Sequence, residues 1–472
     1  MTLSGLSTKI LVIIRPIKHF IYKYKIYFIL GLNILIYLAI FLFRIQFGST
    51  GTIETIIYSK KFLLIGMFVY VLLMFLYYLG FLYAEKFTFK LLIAGYIIFS
   101  LILIITPFIN SYDTYSYISH GRTLSIYHQN PYLFAPIDFP EDPFLKFACP
   151  AWSRMTLIYG PLWSLFSAIL SKIGGSFIYF TFSIYKLWAV IGSSLSLFLT
   201  YKISQLNYSS NLKKNFYLYA WNPFILIEFA NNAHNDVWMI FFGLLAYYCY
   251  CRKKDALIIP LLLLAGMIKY IFWALIPIYL IFLYKQKRIN LKTMLFSAFF
   301  SVLVLCSVFL PFISNLTIIK NVAFHFVKDQ SFNYYNPLLM IFFILTPLIQ
   351  MLVGKYLITA FFYKTLLLSR LIFVFNYTKQ LFWGKNLINI IIVCLISSAI
   401  FFPVAVLPWY LTWCIPFLIL KTNWRAIILW SLIGLLSYSF LYSVSISLFF
   451  IISLLSLYFT ATNQKLTKDL FF

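Results

Sequence analysis

Apolar runs of about twenty residues recur along most of this 472-residue chain. A helix of that length spans the hydrocarbon core of a bilayer, whereas the strands of a membrane barrel would alternate in polarity over shorter segments. Hydrophobic residues make up 63% of the chain and charged residues 10%, against roughly 45–50% and about 25% in soluble domains. The chain is therefore predicted to be an all-α, polytopic integral membrane protein with one transmembrane domain over residues 1–472 and about eleven to thirteen spans.

The formal net charge of +26 comes from lysines and arginines that cluster between the apolar runs. Such clusters are typical of cytoplasmic loops, and anionic lipid headgroups are their expected counter-charge. The basic first stretch and the last lysines predict that both termini are cytoplasmic in a multi-pass protein of the cytoplasmic membrane. Membrane lipids are thus predicted partners, and nucleic acid is not.

Counting crossings from the cytoplasmic start places one long polar segment outside the cell. Spans at about 26–46, 62–84 and 90–109 leave residues 110–175 as an outer loop, and its first part, 110–158, holds four of the eleven acids of the chain. Residues 159–170 are predicted to form a re-entrant or interfacial helix next to this polar segment. The number of crossings in residues 336–385 stays open.

Further along, helices are predicted at about 215–230 and 236–251, and two short helices at about 256–268 and 270–284 with a turn at Lys269. Later spans are predicted at about 293–314, 386–402, 426–442 and 443–460. With this topology, the polar and aromatic motifs meet at the outer ends of the helices. These motifs are "SYDTYSYISHGR" (111–122), "YGPLW" (159–163), "NNAHND" (231–236), Lys269 and "LPWYLTW" (407–413).

Asp113 is the one acid in "SYDTYSYISHGR". An ionisable group beside hydrocarbon is costly, so it is a candidate functional residue, and a carboxylate can deprotonate an acceptor hydroxyl as a general base. The alternative is that Ser111 and Asp113 cap the following helix. Catalysis is favoured because the same helix also presents His120 and Arg122.

Two cations are candidates for binding a phosphate. Lys269 lies between two apolar helices, and its alternative is a lysine that snorkels to the interface. Arg122 is the second candidate, and the alternative to phosphate binding is an ion pair with the acids of its own loop. His234 and Asp236 are predicted to position a substrate, although Asn235 and Asp236 also suit the N-cap of the next helix.

Two further features carry open alternatives. Glu228 is expected to face the same side as Asn235, either in the site or as a buried partner. Stacking on a sugar or isoprenoid is predicted for four residues of "LPWYLTW": Pro408, Trp409, Tyr410 and Trp413. An interfacial aromatic belt has the same composition and is the alternative. No P-loop, Rossmann fingerprint or HExxH motif occurs, so no cofactor is expected, and a divalent metal requirement is left open.

The order of the motifs resembles that of bacterial polyprenol-phosphate-mannose-dependent α-1,6-mannosyltransferases, which belong to the GT-C class of multi-spanning glycosyltransferases. The similarity is carried by "DTYSYISHGR" with "NPY" at 130–132, "EDP" at 141–143, "YGPLW" and "WNPFILIEFANNAHND" at 221–236. It implies that Asp113 is the catalytic carboxylate of a large first outer loop with interfacial helices, and that Lys269 matches a lysine of the family. The predicted substrate-binding residues are Tyr117, His120, Arg122, Asn130, Tyr132, Tyr159, Asn222, His234, Asn235, Asp236, Lys269, Trp409 and Tyr410.

The predicted function is transfer of a hexose, such as mannose, from a polyprenyl-phosphate donor to a glycan or glycolipid acceptor at the outer face, with Asp113 as general base. A flippase or exporter of lipid-linked oligosaccharide is one alternative, but a transporter would place its charges near the bilayer midplane and contain repeats. A polymerase or ligase that uses a lipid-diphosphate donor is another, and it would need more arginines in the outer loops.

Overall fold

A computed structural model describes residues 3–48, 60–206, 211–312, 355–384, 386–401 and 407–440. Within these ranges the regular structure is helical and no strand forms. The helices of the first half are α1 (Leu3–Gly48), α2 (Lys60–Leu82), α3 (Phe89–Ile105), α4 (Asp113–Ser125), α5 (Pro150–Ser153), α6 (Pro161–Gly174), α7 (Ile178–Leu206), α8 (Leu212–Ala220) and α9 (Pro223–Leu226). Those of the second half are α10 (Asp236–Cys251), α11 (Ile258–Gly266), α12 (Leu275–Lys285), α13 (Leu291–Phe309), α14 (Lys355–Trp383), α15 (Leu387–Phe401), α16 (Ile415–Leu420) and α17 (Trp424–Phe440).

Short helical turns connect several of these helices. Most are 3-10 turns, at Ala84–Lys86, Pro136–Asp138, Leu145–Phe147, Asp255–Leu257, Tyr270–Ala274, Leu310–Phe312 and Pro408–Trp413. The exception is a π-helix at Ile227–Asn231, directly after α9.

Among the described residues, four segments are long and apolar enough to cross a membrane: Tyr24–Gln46, Leu64–Leu82, Ile178–Leu206 and Leu291–Phe312. Seven shorter apolar helices accompany them, at Phe89–Ile105, Asp236–Cys251, Asp255–Gly266, Tyr270–Lys285, Leu387–Phe401, Pro408–Leu420 and Trp424–Tyr438. The predicted all-α, polytopic membrane protein is therefore confirmed.

The number of crossings and the orientation of the termini stay predictions. The predicted span at about 443–460 and residues 336–354 lie outside the described residues. Residues Lys355–Trp383, whose course was left open, form one 29-residue helix.

Most of the predicted helix positions agree with the structure. The helix predicted at about 236–251 is α10, and the turn predicted at Lys269 separates α11 from the 3-10 turn that leads into α12. Residues 159–170 fall largely in α6, which has 14 residues. A helix of that length is about 21 Å long, shorter than the roughly 30 Å hydrocarbon core. This length suits the predicted re-entrant or interfacial helix, which stays a prediction.

The single helix predicted at about 215–230 is wrong. The structure has α8, a break at Trp221 and Asn222, then α9 and the π-helix. Pro223 has no backbone N–H and cannot continue the hydrogen bonds of α8. Instead the Asn222 side chain accepts hydrogen bonds from the N–H groups of Phe224 (3.0 Å) and Ile225 (3.3 Å), and so starts a new helix.

The helices of the long loop after α3 pack closely on the rest of the fold. α4 lies against α6, and Gly121 permits this approach because a Cβ there would lie 2.4 Å from the carbonyl oxygen of Ser167. Likewise a Cβ on Gly160 would lie 2.1 Å from the carbonyl oxygen of Met267. These two contacts hold α4 and the start of α6 near the turn that carries Lys269.

Candidate active site

Asp113 is the first residue of α4, and its side chain does not cap that helix. Tyr112 occupies the N-cap position without a side-chain cap, and the Ser111 hydroxyl accepts a hydrogen bond from the Asp113 N–H at 3.1 Å. The alternative that Asp113 serves only as a helix cap is therefore wrong, whereas Ser111 does cap the backbone. The carboxylate is left available for contacts across the fold.

The Asp113 carboxylate lies among hydroxyls and an imidazole. Its Oδ2 accepts hydrogen bonds from the hydroxyls of Tyr117 (3.3 Å) and Tyr159 (3.4 Å), and it lies 3.6 Å from Nδ1 of His234. Burial raises the pKa of Asp113, and the nearby charges of His234 and Lys269 oppose this rise. A carboxyl group with a raised pKa is a better base near neutral pH than an exposed one.

His234 connects Asp113 to a second buried carboxylate. The Nε2 atom of His234 lies 3.2 Å from Oε2 of Glu228, which also accepts a hydrogen bond from the Tyr438 hydroxyl at 2.9 Å. The imidazole stacks on the Trp409 ring with centroids 4.2 Å apart. The imidazole of His234 thus lies between two carboxylates, that of Asp113 and that of Glu228. Glu228 is the buried partner that was left as one alternative.

Lys269 and Asp236 form the second charged pair of the site. Lys269 Nζ donates to both carboxylate oxygens of Asp236 at 2.8 Å, and the Trp413 indole N–H donates to Oδ1 at 2.5 Å. The ammonium lies 5.6 Å from the ring centroid of Tyr159, 5.1 Å from that of Tyr410 and 6.0 Å from that of Trp413. An aromatic cage of this kind stabilises a cation at low exposure.

Asn235 and Asp236 begin α10 as predicted, but their side chains do not cap it. Asn235 occupies the N-cap position without a cap hydrogen bond, and its Oδ1 accepts from the Tyr117 hydroxyl at 3.3 Å. Asp236 is committed to Lys269. Both side chains therefore face the cluster around Asp113, and the helix-cap alternative is wrong for both.

The two asparagines before His234 bind the segment that leads to Asp113. Asn231 Oδ1 accepts from the Ile109 N–H at 2.8 Å, and its Nδ2 donates to the Thr106 carbonyl at 3.0 Å. The Asn232 carbonyl accepts from the Thr114 hydroxyl at 2.6 Å. These contacts fix the end of α3 and the start of α4 against the π-helix, and so set the position of Asp113 relative to His234.

Asn130 and Tyr132 act on the site through Tyr159. The Tyr132 hydroxyl donates to the Tyr159 carbonyl at 2.8 Å, and the Asn130 side chain accepts from the Tyr132 N–H at 3.0 Å. The next residue, Gly160, donates its N–H to the Ile268 carbonyl at 3.0 Å. The "NPY" turn therefore supports the backbone of Tyr159, whose ring lies next to Lys269. The side chains of Asn130 and Tyr132 make the hydrogen bonds that give this support.

Arg122 is not part of the cluster. Its Nε pairs with Asp142 at 2.7 Å, its Nη1 donates to the Gly175 carbonyl at 2.5 Å, and its guanidinium lies 4.7 Å from the Phe144 ring centroid. The ion-pair alternative is confirmed, and the prediction that Arg122 binds a phosphate in this site is not supported. The pair is buried and joins α4 to the loop around Asp142, while the bond to Gly175 joins α4 to the end of α6.

Two more predicted residues lie away from Asp113. His120 is buried two turns further along α4, about 10 Å along the helix axis. Asn222 starts α9 and donates to the Ser431 hydroxyl at 2.8 Å, so its contacts are structural.

Tyr438 was not predicted as a residue of the site. Trp413 was predicted to stack on a substrate, but no pattern distinguished it from Trp409 or Tyr410 as the donor to Asp236. Nothing in the sequence marks Tyr438. Among the described residues, no group of three or more His, Cys, Asp or Glu is arranged to hold a metal ion, and the expectation that no cofactor is needed stays a prediction.

The family MptA_B, described as alpha-(1->6)-mannopyranosyltransferase, N-terminal domain, matches residues 45–285. The chain belongs to this family. The match spans just over half of the sequence and includes Asp113, His234, Asp236 and Lys269, so the predicted family is confirmed. Membership supports a membrane glycosyltransferase of the mannosyltransferase type. No curated protein matches the chain.

Proposed function

We propose that this mannosyltransferase moves a mannosyl residue from a polyprenyl-phosphate donor to a hydroxyl of a glycan or glycolipid at the outer face of the cytoplasmic membrane. The observation that carries the proposal is the buried Asp113 carboxylate, which faces His234 and two tyrosine hydroxyls and lies beside the caged Lys269. A base, a cation and aromatic walls are the groups that this transfer requires.

Asp113 is the general base of the proposed reaction. The acceptor hydroxyl gives its proton to the Asp113 carboxylate while the acceptor oxygen forms a bond to the anomeric carbon of the donor. The bond between the anomeric carbon and the phosphate oxygen breaks, and its electron pair leaves with the lipid phosphate. Since burial raises the pKa of Asp113, the carboxylate holds this proton more strongly than an exposed aspartate would.

The charges around Asp113 suit the transition state of glycosyl transfer. Positive charge develops on the sugar ring in an oxocarbenium-like transition state. Asp113, Glu228 and Asp236 supply three carboxylates, against one lysine and one histidine. Fixed negative charge in a buried site stabilises a developing positive charge because little water screens it. His234 is proposed to hold the Asp113 carboxylate in place.

The aromatic residues and Lys269 are proposed to bind the two ends of the donor. Trp409 and Tyr410 offer ring faces for the sugar, and they lie beside His234 and Lys269 respectively. An ammonium group has three donor protons, and the Asp236 carboxylate takes two of those of Lys269. The third is proposed to reach the departing phosphate.

The test uses the full chain in lipid nanodiscs with polyprenyl-phosphate-mannose and a mannoside acceptor. Asp113→Asn should lower the rate of transfer at least ~100-fold, the usual lower limit for a general base. Glu141→Gln is the matched control, because Glu141 is an exposed acid of the same loop and should retain wild-type activity. Near-normal transfer by Asp113→Asn would refute the assignment of the base.

The same protein reconstituted in closed vesicles separates the proposal from the transporter alternative. Vesicles that contain the protein and a lipid-linked oligosaccharide should show no flipping above that of empty vesicles. If the oligosaccharide flips and no mannose is transferred, the protein is a flippase and the proposed function is wrong.

A further inference from the structure

Two buried cations lie near the acid cluster but do not belong to it. Arg44 is close to the end of α1, and Lys186 lies in the third turn of α7. Both converge on the segment that follows α3: Arg44 Nη2 donates to the Phe108 carbonyl at 2.6 Å, and Lys186 Nζ donates to the Thr106 carbonyl. Lys186 Nζ also lies 4.2 Å from the Phe108 ring centroid. Their exposed fractions are 6% and 2%.

The segment between these cations also contacts the active site. The Thr106 carbonyl that accepts from Lys186 accepts a second hydrogen bond from Asn231, three residues before His234. The Tyr70 hydroxyl donates to the side-chain oxygen of Asn110 at 2.9 Å, and the Asn110 N–H donates to the Asn232 side chain at 3.3 Å. The two cations therefore lie at the same end of the helix bundle as Asp113, on the other side of this segment.

Neither cation has an anionic partner in the part of the chain that the structure describes. The ion pairs found there do not include Arg44 or Lys186. Arg44 Nε and Nη1 are buried and have no hydrogen-bond partner among the described residues. The two cations lie close together, because they bind the carbonyls of Phe108 and Thr106, two residues apart. Like charges that are buried together without a counter-charge are strongly unfavourable, so the arrangement calls for an anion with several acceptor oxygens.

The surface beside these cations is suited to lipid tails. Leu42 on α1, Ile105 on α3 and Leu187 on α7 are 63%, 60% and 50% exposed, although all three are apolar. A lipid whose headgroup reached Arg44 and Lys186 could lay its tail along these side chains. Basic groups held between membrane helices in this way are typical of sites for lipid headgroups.

We propose that Arg44 and Lys186 together bind the phosphate group of a lipid, as a phosphate monoester or diester. Arg122 and Lys269 are each paired with an aspartate, whereas the guanidinium of Arg44 retains two buried N–H positions for phosphate oxygens. The proposal does not rest on the proposed function, because binding is measured without any transfer of sugar.

The experiment measures thermal unfolding of the full chain in detergent after its lipids have been removed. The probes are polyprenyl phosphate, phosphatidylglycerol and inorganic phosphate, together with polyprenol and diacylglycerol as phosphate-free controls. The variants are Arg44→Gln and Lys186→Met, and Lys202→Met is the matched control because Lys202 lies on the same helix, outside this site. Removing an unpaired buried cation should not prevent folding, so both variants should be obtained.

For the wild type and Lys202→Met, the unfolding temperature should rise with the concentration of at least one lipid phosphate, and not with its phosphate-free control. Arg44→Gln and Lys186→Met should each weaken this response by roughly tenfold or more in lipid concentration, as the loss of a charged hydrogen bond predicts. A response to polyprenyl phosphate alone would identify the lipid of the donor. A response to phosphatidylglycerol alone would identify a bilayer phospholipid.

Three results would overturn the proposal. One is an equal response of the wild type and both variants to every lipid phosphate, and another is a response to inorganic phosphate as strong as that to the lipids. The third concerns Glu54, the acid nearest to Arg44 in sequence, which lies outside the described residues. If the wild type ignores all lipids and Glu54→Gln unfolds at a lower temperature, Glu54 is the counter-charge and no lipid phosphate is needed.

Discussion

Replacing Lys269 by methionine should destabilise the protein strongly, because it leaves a buried carboxylate without its cation. Lys269 Nζ donates to both oxygens of Asp236 at 2.8 Å, and the Asp236 side chain is fully buried. Among the described residues, the Trp413 indole N–H is the donor that still reaches Asp236 in the variant. Breaking a buried ion pair by removing one partner costs about 3–5 kcal/mol, and we expect Lys269→Met to lower the free energy of unfolding by that amount.

The double variant Lys269→Met/Asp236→Asn distinguishes loss of the charge pair from loss of packing. With both charges removed, most of the cost should be recovered, and the coupling between the two substitutions should approach ~3 kcal/mol, the upper end for residues in contact. The assay is denaturant-induced unfolding in one detergent, followed by tryptophan fluorescence. Lys172→Met, at an exposed lysine in the last turn of α6, is the control and should change the free energy little.

A coupling near zero would contradict this prediction. Destabilisation of the double variant by the sum of the effects of Lys269→Met and Asp236→Asn, each measured alone, would mean that Asp236 does not need Lys269 as a counter-charge. The aromatic cage of Tyr159, Tyr410 and Trp413 would then be the main feature that holds the lysine, and Lys269→Met would act through packing alone.

Two further predictions concern α4. In Tyr117→Phe, a hydrogen bond that opposes the raised pKa of Asp113 is lost, so the pKa should rise further. Because the base must be ionised, transfer declines as the pH falls through this pKa. The acidic limb of the pH–rate profile should therefore move to higher pH in the variant. An unmoved limb would contradict the hydrogen bond between Tyr117 and Asp113. Arg122→Gln should lower the free energy of unfolding by about 3–5 kcal/mol and leave the KM for the donor unchanged, since the buried pair with Asp142 is structural. A raised donor KM with unchanged stability would return Arg122 to the substrate site.

The parts of the fold that depend on local sequence could be predicted. The helix predicted at about 236–251 is observed at Asp236–Cys251, because a polar cluster precedes its apolar run and basic residues follow it. Lys269 interrupts two apolar runs, and the chain turns there as expected. The break at Pro223 was also readable, since proline ends a helix at the residue before it, and the single helix predicted at about 215–230 overlooked this rule.

The parts that depend on tertiary contacts could not be predicted in the same way. The π-helix at Ile227–Asn231 changes the direction in which Glu228 points, and no residue pattern marks such a turn. The hydrogen bond from the Trp413 indole N–H to Asp236 joins residues 177 positions apart in the sequence. Arg122 pairs with the loop acid Asp142 and not with a phosphate. Asp142 is near Arg122 in the sequence, but the sequence does not show that it reaches the guanidinium.

The two groups of charges in this protein match the two charges of the proposed transition state. Transfer from a lipid phosphate makes the sugar ring positive and places a negative charge on the leaving oxygen. The cluster of Asp113, Glu228 and Asp236 favours the first charge, and the N–H of Lys269 that Asp236 leaves over is proposed to meet the second. Arg44 and Lys186 add positive charge at the same end of the bundle. The Thr106 backbone separates them from the carboxylates, so a lipid phosphate bound there does not neutralise the base.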